Sequence, residues 1–300
     1  MLKSREDHSS LELLSGVVLI SFSAVFVKLA DVGPSAAAFY RMFFGGVLLL
    51  LITLITRTKL WYGWKPFSLA VLCGVLFAGD LAFWHRSINA VGPGLATILA
   101  SFQVFFVTAF AIGFLRERPG IRVFIAIPLA LLGLFLLVGT QWNKMSIDYQ
   151  AGVMYGLITA IFYASFVLTL RRLQSLSNAP APFANITVST LSTAFCSAIV
   201  AIIAQESFVI PDTPSILWLI LYGICGQVLG WVLITRSIKH ISAARVSLML
   251  LLQPTLSFIW DIVFFQRPTL AIEFAGAIIA IFAIYLGTWT GEAKIEPRQA

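Results

Sequence analysis

The sequence has few charged residues: Asp, Glu, Lys and Arg together make up only 11% of its 300 residues. A soluble domain carries about 25% charged residues, which keep its surface in water. The hydrophobic fraction is 59%. Together these two values exclude a soluble domain and predict an integral membrane protein.

The sequence also lacks the short segments of alternating hydrophobicity, about ten residues each, that are typical of outer-membrane barrels. Its apolar runs are about twenty residues long, which lets a helix cross a hydrocarbon core of roughly 30 Å. We therefore expect an all-α integral membrane protein.

Cysteines are few, and they show no pattern. Cys73, Cys196 and Cys225 fall inside apolar segments with no paired spacing, so we expect neither a disulfide framework nor a metal site. No His-Glu-x-x-His motif, pair of catalytic carboxylates or Ser-Lys/His arrangement is evident in the spans. We predict that the chain is not an enzyme and carries no cofactor.

One stretch occurs twice, 150 residues apart, which is half of the chain. Arg86-Ser87-Ile88 is followed 17 residues later by Gln103, and Arg236-Ser237-Ile238 is followed 17 residues later by Gln253. Each tripeptide closes one apolar run, and each glutamine lies within the next. This spacing predicts a duplicated half-chain.

The apolar runs predict ten membrane-spanning helices, five in each half. They cover residues 11–30, 36–56, 67–87, 94–115, 123–140, 151–170, 183–204, 215–235, 244–265 and 270–290. The chain then divides into a tail of residues 1–10, a first repeat of 11–140, a linker of 141–150, a second repeat of 151–290 and a tail of 291–300.

Five spans per repeat make the second repeat enter the membrane from the opposite side, so we expect inverted repeats. The two tails and the loops on their side hold 15 of the 20 basic residues: Lys3, Arg5, Arg57, Lys59, Lys65, Arg116, Arg118, Arg122, Arg171, Arg172, Arg236, Lys239, Arg245, Lys294 and Arg298. By the positive-inside rule, both termini face the cytoplasm. Because the net charge of +7 follows this topology, we expect no nucleic-acid partner.

Six short segments carry a family resemblance through their order along the chain. They are Phe26-Val27-Lys28, Phe39-Tyr40-Arg41, Gly92-Pro93-Gly94-Leu95-Ala96, Leu115-Arg116-Glu117-Arg118, Leu252-Gln253-Pro254 and the run from Gly276 to Gly287. In this order and with a five-plus-five layout, the chain resembles the drug/metabolite transporter (DMT) superfamily, in the branch with two EamA-type domains.

The resemblance implies a ten-helix permease or exporter of small metabolites, often amino acids, with a central cavity between its halves. It also implies an integral protein of a bacterial inner membrane. One position departs from the family pattern, because Phe265-Gln266-Arg267 stands where the family usually has an acid. The second repeat therefore lacks a counterpart of Glu117.

Ionisable side chains inside the spans are candidates for a ligand site, because charge is costly at membrane depth. Asp80 lies near the middle of the third span, where Asp costs about 2.5 to 3.5 kcal/mol to insert. It therefore needs a charged partner or a water-filled cavity. Lys28, Arg41 and His85 lie toward the outer ends of the first three spans, where the two basic groups would suit a carboxylate-bearing solute.

Two glutamines lie at the depth where inverted-repeat carriers bind their ligands, in the middle of the fourth and ninth spans. Pro254 follows the second glutamine and frees a helix carbonyl, which favours a site or a hinge there. Three deep tryptophans complete the predicted substrate-binding and translocation residues, which are Lys28, Arg41, Asp80, Trp84, His85, Gln103, Trp231, Gln253 and Trp260.

Each of these residues also fits a structural role. The two basic groups of the first two spans fit snorkelling to the interface, and Asp80 fits a structural salt bridge. His85 and the glutamines fit hydrogen bonds between helices. The deep tryptophans fit packing against lipid.

The residues favour a carrier for small organic solutes, amino acids or related carboxylates, that works by alternating access. A second hypothesis is an efflux carrier for apolar or cationic drug-like compounds, with aromatic side chains around Asp80. A passive channel and a structural role stay open. The expected partners are a small-molecule solute and membrane lipid, with proton coupling through Asp80 or His85 as a further hypothesis.

Overall fold

Long apolar runs form helices because a helix satisfies all its backbone hydrogen bonds internally, where hydrocarbon offers none. The computed structural model describes residues 2–113, 121–139, 142, 145–174, 176–178, 181–238 and 252–288. Within these ranges the long regular elements are all helical, so the prediction of an all-α fold is confirmed.

The described helices follow the predicted order. They are α1 Leu2–Ser21, α2 Ser23–Leu29, α3 Pro34–Ile55, α4 Trp64–Val91, α5 Pro93–Ser101, α6 Gln103–Gly113, α7 Ile121–Leu134 continued by a π-helical turn Phe135–Gly139, α8 Ile147–Gln174, α9 Pro182–Ile203, α10 Thr213–Leu221, a π-helical segment Tyr222–Leu229, α11 Gly230–Ile238, α12 Leu252–Phe265 and α13 Ala271–Thr288. The loop motif at residues 115–118 and the start of the ninth predicted span, at 244–251, lie outside the described residues.

Ten apolar helical stretches in the described part of the chain correspond to the ten predicted spans. Six are long and apolar enough to cross a membrane: Ser10–Leu29, Pro34–Ile55, Trp64–Val91, Ile147–Gln174, Phe183–Ile203 and Thr213–Ile234. Four are shorter: Pro93–Val107, Phe124–Leu137, Leu252–Phe265 and Ala271–Leu286.

Two predicted single helices are interrupted near their middles, the first at Phe22 and the fourth at Phe102. A serine precedes each break and hydrogen-bonds back to a carbonyl of the preceding turn: Ser21 Oγ to the Val18 oxygen at 2.7 Å, and Ser101 Oγ to the Thr97 oxygen at 2.8 Å. Such back-bonding competes with the helical hydrogen bonds and bends helices. The apolar pattern does not show these breaks, because it continues through them.

The most extensive helix–helix contacts are between α4 and α8, between α3 and α9, and between α7 and α13. Small residues let these helices approach closely, as in other membrane bundles. At Gly74 of α4, an added Cβ would lie 2.7 Å from the backbone oxygen of Ser189 on α9. Helix α4 therefore lies between α8 and α9, both of which come from the second half of the chain.

We call the end of the bundle at which α3 and α5 begin the capped end. There, Glu206 from the loop between α9 and α10 accepts hydrogen bonds through Oε2 from the backbone N–H groups of Ser35 at 2.7 Å and Ala36 at 3.0 Å. Its Oε1 lies 3.4 Å from Nη2 of Arg86 on α4. A carboxylate at a helix N-terminus satisfies free N–H groups and complements the helix dipole.

Asp261 of α12 forms a second cap at the same end. Its Oδ2 accepts a hydrogen bond from the Gly94 N–H at 3.0 Å and lies 3.4 Å from Nη1 of Arg267. Gly92 has φ +87°, and an added Cβ would lie 2.7 Å from the same carboxylate oxygen, so only glycine fits there. Both capping carboxylates come from the second half and hold helices of the first, which closes this end of the bundle.

Replacing Glu206 with alanine should destabilise the protein by about 1 to 2 kcal/mol, because two N–H groups of α3 lose their acceptor. The thermal unfolding midpoint in detergent measures the loss. Asp148→Ala is the matched control, since Asp148 is an exposed carboxylate at the start of α8. Equal midpoints for the two variants would contradict a stabilising role for the Glu206 cap.

Candidate functional site

A cavity of about 430 Å³ lies inside the bundle, bordered by helices from both halves of the chain. Its wall consists of Ile20, Ser23, Arg41, Phe77, Asp80, Leu81, Trp84, Thr97, Ala100, Ser101, Gln103, Val104, Tyr163, Phe166, Val167, Leu170, Trp231, Ile234, Gln253, Pro254 and Ile284. Six of the nine predicted site residues are among them: Arg41, Asp80, Trp84, Gln103, Trp231 and Gln253. The two halves therefore line one shared cavity.

The cavity begins below the capped end. Arg41 lies two helical turns inside the start of α3, and Trp84 lies two turns before the end of α4. At the other extreme, Leu170 lies one turn before α8 ends at Gln174. The cavity thus extends from the caps toward the opposite end of the bundle.

Arg41 brings a positive charge to the cavity wall, although the residue is only 3% exposed. Its Nη1 donates a hydrogen bond to the Tyr222 hydroxyl at 2.8 Å. The guanidinium carbon lies 4.6 Å from the ring centroid of Tyr222 and 5.7 Å from that of Phe77. Arg41 Nε is buried without a hydrogen-bond partner among the described residues.

Asp80 brings a carboxylate to the same wall and is 7% exposed. Arg41 is close enough to act on it electrostatically. The ion pairs found among the described residues join Arg86 to Glu206 and Arg267 to Asp261, and Asp80 takes part in neither. The wall therefore carries one cation and one anion that are not locked to each other.

Further polar atoms at the wall have no hydrogen-bond partner in the described part of the chain. They are the Ser23 hydroxyl, the Trp84 indole N–H and the Gln103 carbonyl oxygen, each fully buried. A buried polar group without a partner costs free energy. The side chains that form the wall therefore leave some hydrogen-bonding capacity unsatisfied inside the bundle.

The two predicted glutamines lie beside irregular backbone. Gln103 is the first residue of α6, directly after the break at Phe102, and Gln253 is followed by Pro254 on α12. Both glutamines and the proline line the cavity. A cavity lining is where a membrane protein tolerates an interrupted helix, because free backbone groups are satisfied there.

Three predicted residues lie away from the wall. Lys28 is exposed and donates to the Asn89 backbone oxygen at 3.4 Å. Trp260 donates to Ser21 Oγ at 2.9 Å and stacks on a phenylalanine of the first predicted span. His85 is fully buried and hydrogen-bonds to the Pro34 oxygen and the Tyr222 hydroxyl, so it joins three elements.

Sequence reasoning missed Tyr163 and Tyr222. The first lines the cavity, and the second holds Arg41 from the π-helical segment. A tyrosine in the middle of an apolar span is the signal that could have found them, because a buried hydroxyl needs a partner. The role of Glu206 has no such signal, since it caps a helix 170 residues away in the sequence.

The comparison with family models decides the family. The model of the EamA-like transporter family matches residues 10–139 and again residues 150–289. The chain belongs to this family. The family consists of transporters, in agreement with the prediction that the protein is not an enzyme.

The individual proteins similar to this EamA-like transporter share less than a third of its sequence. It is 27% identical over 285 residues to the pseudopaline exporter CntI of Pseudomonas aeruginosa, in strains UCBPP-PA14 and PAO1, covering 91% of this chain and 96% of the exporter. A solved crystal structure is similar to this chain with a TM-score of 0.66 and 17% sequence identity, and the match covers 94% of this chain and 97% of the chain in that structure. That match shows the fold alone.

Cysteine accessibility tests the cavity of the EamA-like transporter. With the three native cysteines replaced by alanine, Ser101→Cys should react readily with a small water-soluble methanethiosulfonate, because position 101 lies on the wall. Ser257→Cys is the control: Ser257 is 1% exposed and bonds to the Ser21 oxygen away from the wall. Labelling is read as a mass shift, and equal rates for the two positions would contradict an accessible cavity.

Proposed function

We propose that this EamA-like transporter is a secondary carrier of the bacterial inner membrane that moves small organic metabolites bearing a carboxylate, such as amino acids or related compounds. The observation that carries the proposal is Arg41 on the wall of a cavity shared by both halves. Arginine suits carboxylates because its planar guanidinium donates two parallel hydrogen bonds.

The remaining wall fits a solute of this class. Asp80 offers a counter-charge for an ammonium group, and the side chains of Gln103 and Gln253 offer neutral hydrogen-bonding groups. The volume of about 430 Å³ falls in the range of small-molecule pockets, about 300 to 1,000 Å³. A zwitterion with a modest side chain would engage both charges at once.

Alternating access is supported by the difference between the two ends of the bundle. The carboxylate caps close the capped end, and the cavity extends toward the other end. If the termini are cytoplasmic, as the positive-inside rule indicates, this is a conformation that faces the cytoplasm. Movement of the two inverted repeats, residues 11–140 and 151–290, relative to each other would convert this conformation into one that faces the outside.

Export is the proposed direction, because the similar curated protein is named an exporter. Proton coupling through Asp80 belongs to the same proposal. The charged or titratable groups around Asp80 are Arg41, Tyr163 and Tyr222. Asp80 is the proposed proton-binding group because it supplies the carboxyl group among the described residues that line the cavity. Flux that does not change with a pH gradient would remove proton coupling from the proposal.

A second candidate function is efflux of apolar or cationic drug-like compounds. The observation that favours it is the aromatic part of the wall, which includes Phe77, Trp84, Tyr163, Phe166 and Trp231. Aromatic faces attract organic cations, with a carboxylate as counter-charge. In this function, Asp80 and not Arg41 would hold the solute.

Flux into proteoliposomes separates the two functions. Arg41→Gln should lower the flux of labelled amino acids by about ten- to a hundredfold, because a hydrogen bond to a charged group contributes about 1.5 to 3 kcal/mol. Lys65→Gln removes an exposed positive charge at the start of α4 and serves as control.

Under the second function, Asp80→Asn abolishes flux of a lipophilic cation, whereas Arg41→Gln leaves that flux unchanged. If the wild-type protein moves no member of a broad panel of amino acids, carboxylates and organic cations faster than empty liposomes, the carrier proposal itself fails.

A further inference from the structure

Three side chains form a connected layer between the cavity and the capped end. Arg41 Nη1 lies 2.8 Å from the Tyr222 hydroxyl, which lies 2.8 Å from His85 Nε2. On its other side, His85 Nδ1 lies 2.7 Å from the backbone oxygen of Pro34, at the start of α3. The chain of hydrogen bonds leaves α3 at Arg41 and returns to the same helix at Pro34.

The chemistry of the two ends fixes the direction of two of the three hydrogen bonds. A backbone oxygen only accepts, so His85 Nδ1 carries a hydrogen and donates to Pro34. A guanidinium only donates, so the Tyr222 oxygen accepts from Arg41. The Tyr222 hydroxyl hydrogen then has an acceptor in His85 Nε2, provided that the imidazole is neutral.

A cationic imidazole does not fit this layer. It would direct a second N–H at the Tyr222 oxygen, and the hydroxyl hydrogen would then have no acceptor among the described residues. It would also add a positive charge close to the guanidiniums of Arg41 and Arg86. The geometry therefore assigns a neutral His85 with its hydrogen on Nδ1.

The backbone places Tyr222 for this contact. The π-helical segment begins at Tyr222, and the next residue, Gly223, lies against α3: an added Cβ would lie 3.1 Å from the Arg41 backbone oxygen. π-Helical turns within α-helices are frequent at functional sites. Here the segment brings a tyrosine of the second half under the guanidinium of the first.

We infer that Tyr222 and His85 are positioning residues that hold the Arg41 guanidinium at the cavity wall in one orientation. They occupy one nitrogen, Nη1, while Nε is buried without a hydrogen-bond partner among the described residues. The identity of the solute rests on the proposed function, but the hydrogen-bond layer does not. The layer also assigns His85 a role other than proton coupling.

Tyr222→Phe tests the first step. It removes the acceptor of Arg41 and keeps the aromatic ring, so KM for a transported amino acid should rise about tenfold while the maximal rate stays within about twofold. Tyr40→Phe is the matched control on α3, because that hydroxyl donates to the Phe208 oxygen away from the cavity. An unchanged KM, or a fall in maximal rate alone, would overturn the positioning role of Tyr222.

Two substitutions of His85 separate positioning from packing. His85→Gln can offer an oxygen to the Tyr222 hydroxyl and should keep KM near the wild-type value. His85→Asn can reach Pro34 but not Tyr222, and should raise KM as Tyr222→Phe does. The double variant His85→Asn/Tyr222→Phe should be no worse than Tyr222→Phe alone, since both break one chain. Additive effects of the two substitutions on KM, or equal effects of His85→Gln and His85→Asn, would contradict the hydrogen-bond layer.

The histidine tautomer provides a test that needs no solute. The chain has three histidines, so ¹⁵N-histidine spectra in lipid nanodiscs can be assigned to His85 by comparison with His85→Gln. The expected spectrum shows a neutral ring with a protonated Nδ1 and an unprotonated Nε2. If His85 has its hydrogen on Nε2, or is cationic at neutral pH, the hydrogen-bond layer is overturned whatever the transport assay shows. If the spectrum shows the expected tautomer but the protein transports no solute, the proposed function is overturned and the hydrogen-bond layer is supported.

Discussion

Polar groups buried in an apolar bundle must find partners within the protein, because hydrocarbon offers none. In this chain several of these partners come from the opposite half. Glu206 and Asp261 cap helices of the first half, and Tyr222 holds Arg41 from the second. The two halves joined in this way also line one cavity, which carries Arg41 and Asp80.

The fold was largely readable from the sequence, because about twenty apolar residues in a row permit few structures other than a membrane-spanning helix. The number and order of the spans follow from the apolar runs alone. The breaks at Phe22 and Phe102 could not be predicted in this way, because they depend on hydrogen bonds of Ser21 and Ser101 that compete with the helical hydrogen bonds without changing the hydrophobicity of the segment.

The site was readable in part. Asp80 and Gln103 stand out because polar side chains are costly inside a span, and the structure places both on the cavity wall. The depth of a residue does not reveal its direction around the helix axis. His85 lies five residues from Asp80, yet it turns toward Tyr222 and Pro34, away from the cavity. Such pairings join residues more than fifty positions apart, which only the packed bundle defines.

The central claim is that both halves line one shared cavity, and a cross-link between Gln103→Cys and Gln253→Cys tests it most directly. The native cysteines are replaced by alanine, and a protease site is placed in the linker of residues 141–150. After treatment with a short bifunctional methanethiosulfonate and cleavage, the two halves should migrate as one species. If each cysteine reacts singly but the halves separate, the two glutamines do not face one cavity and the account is contradicted.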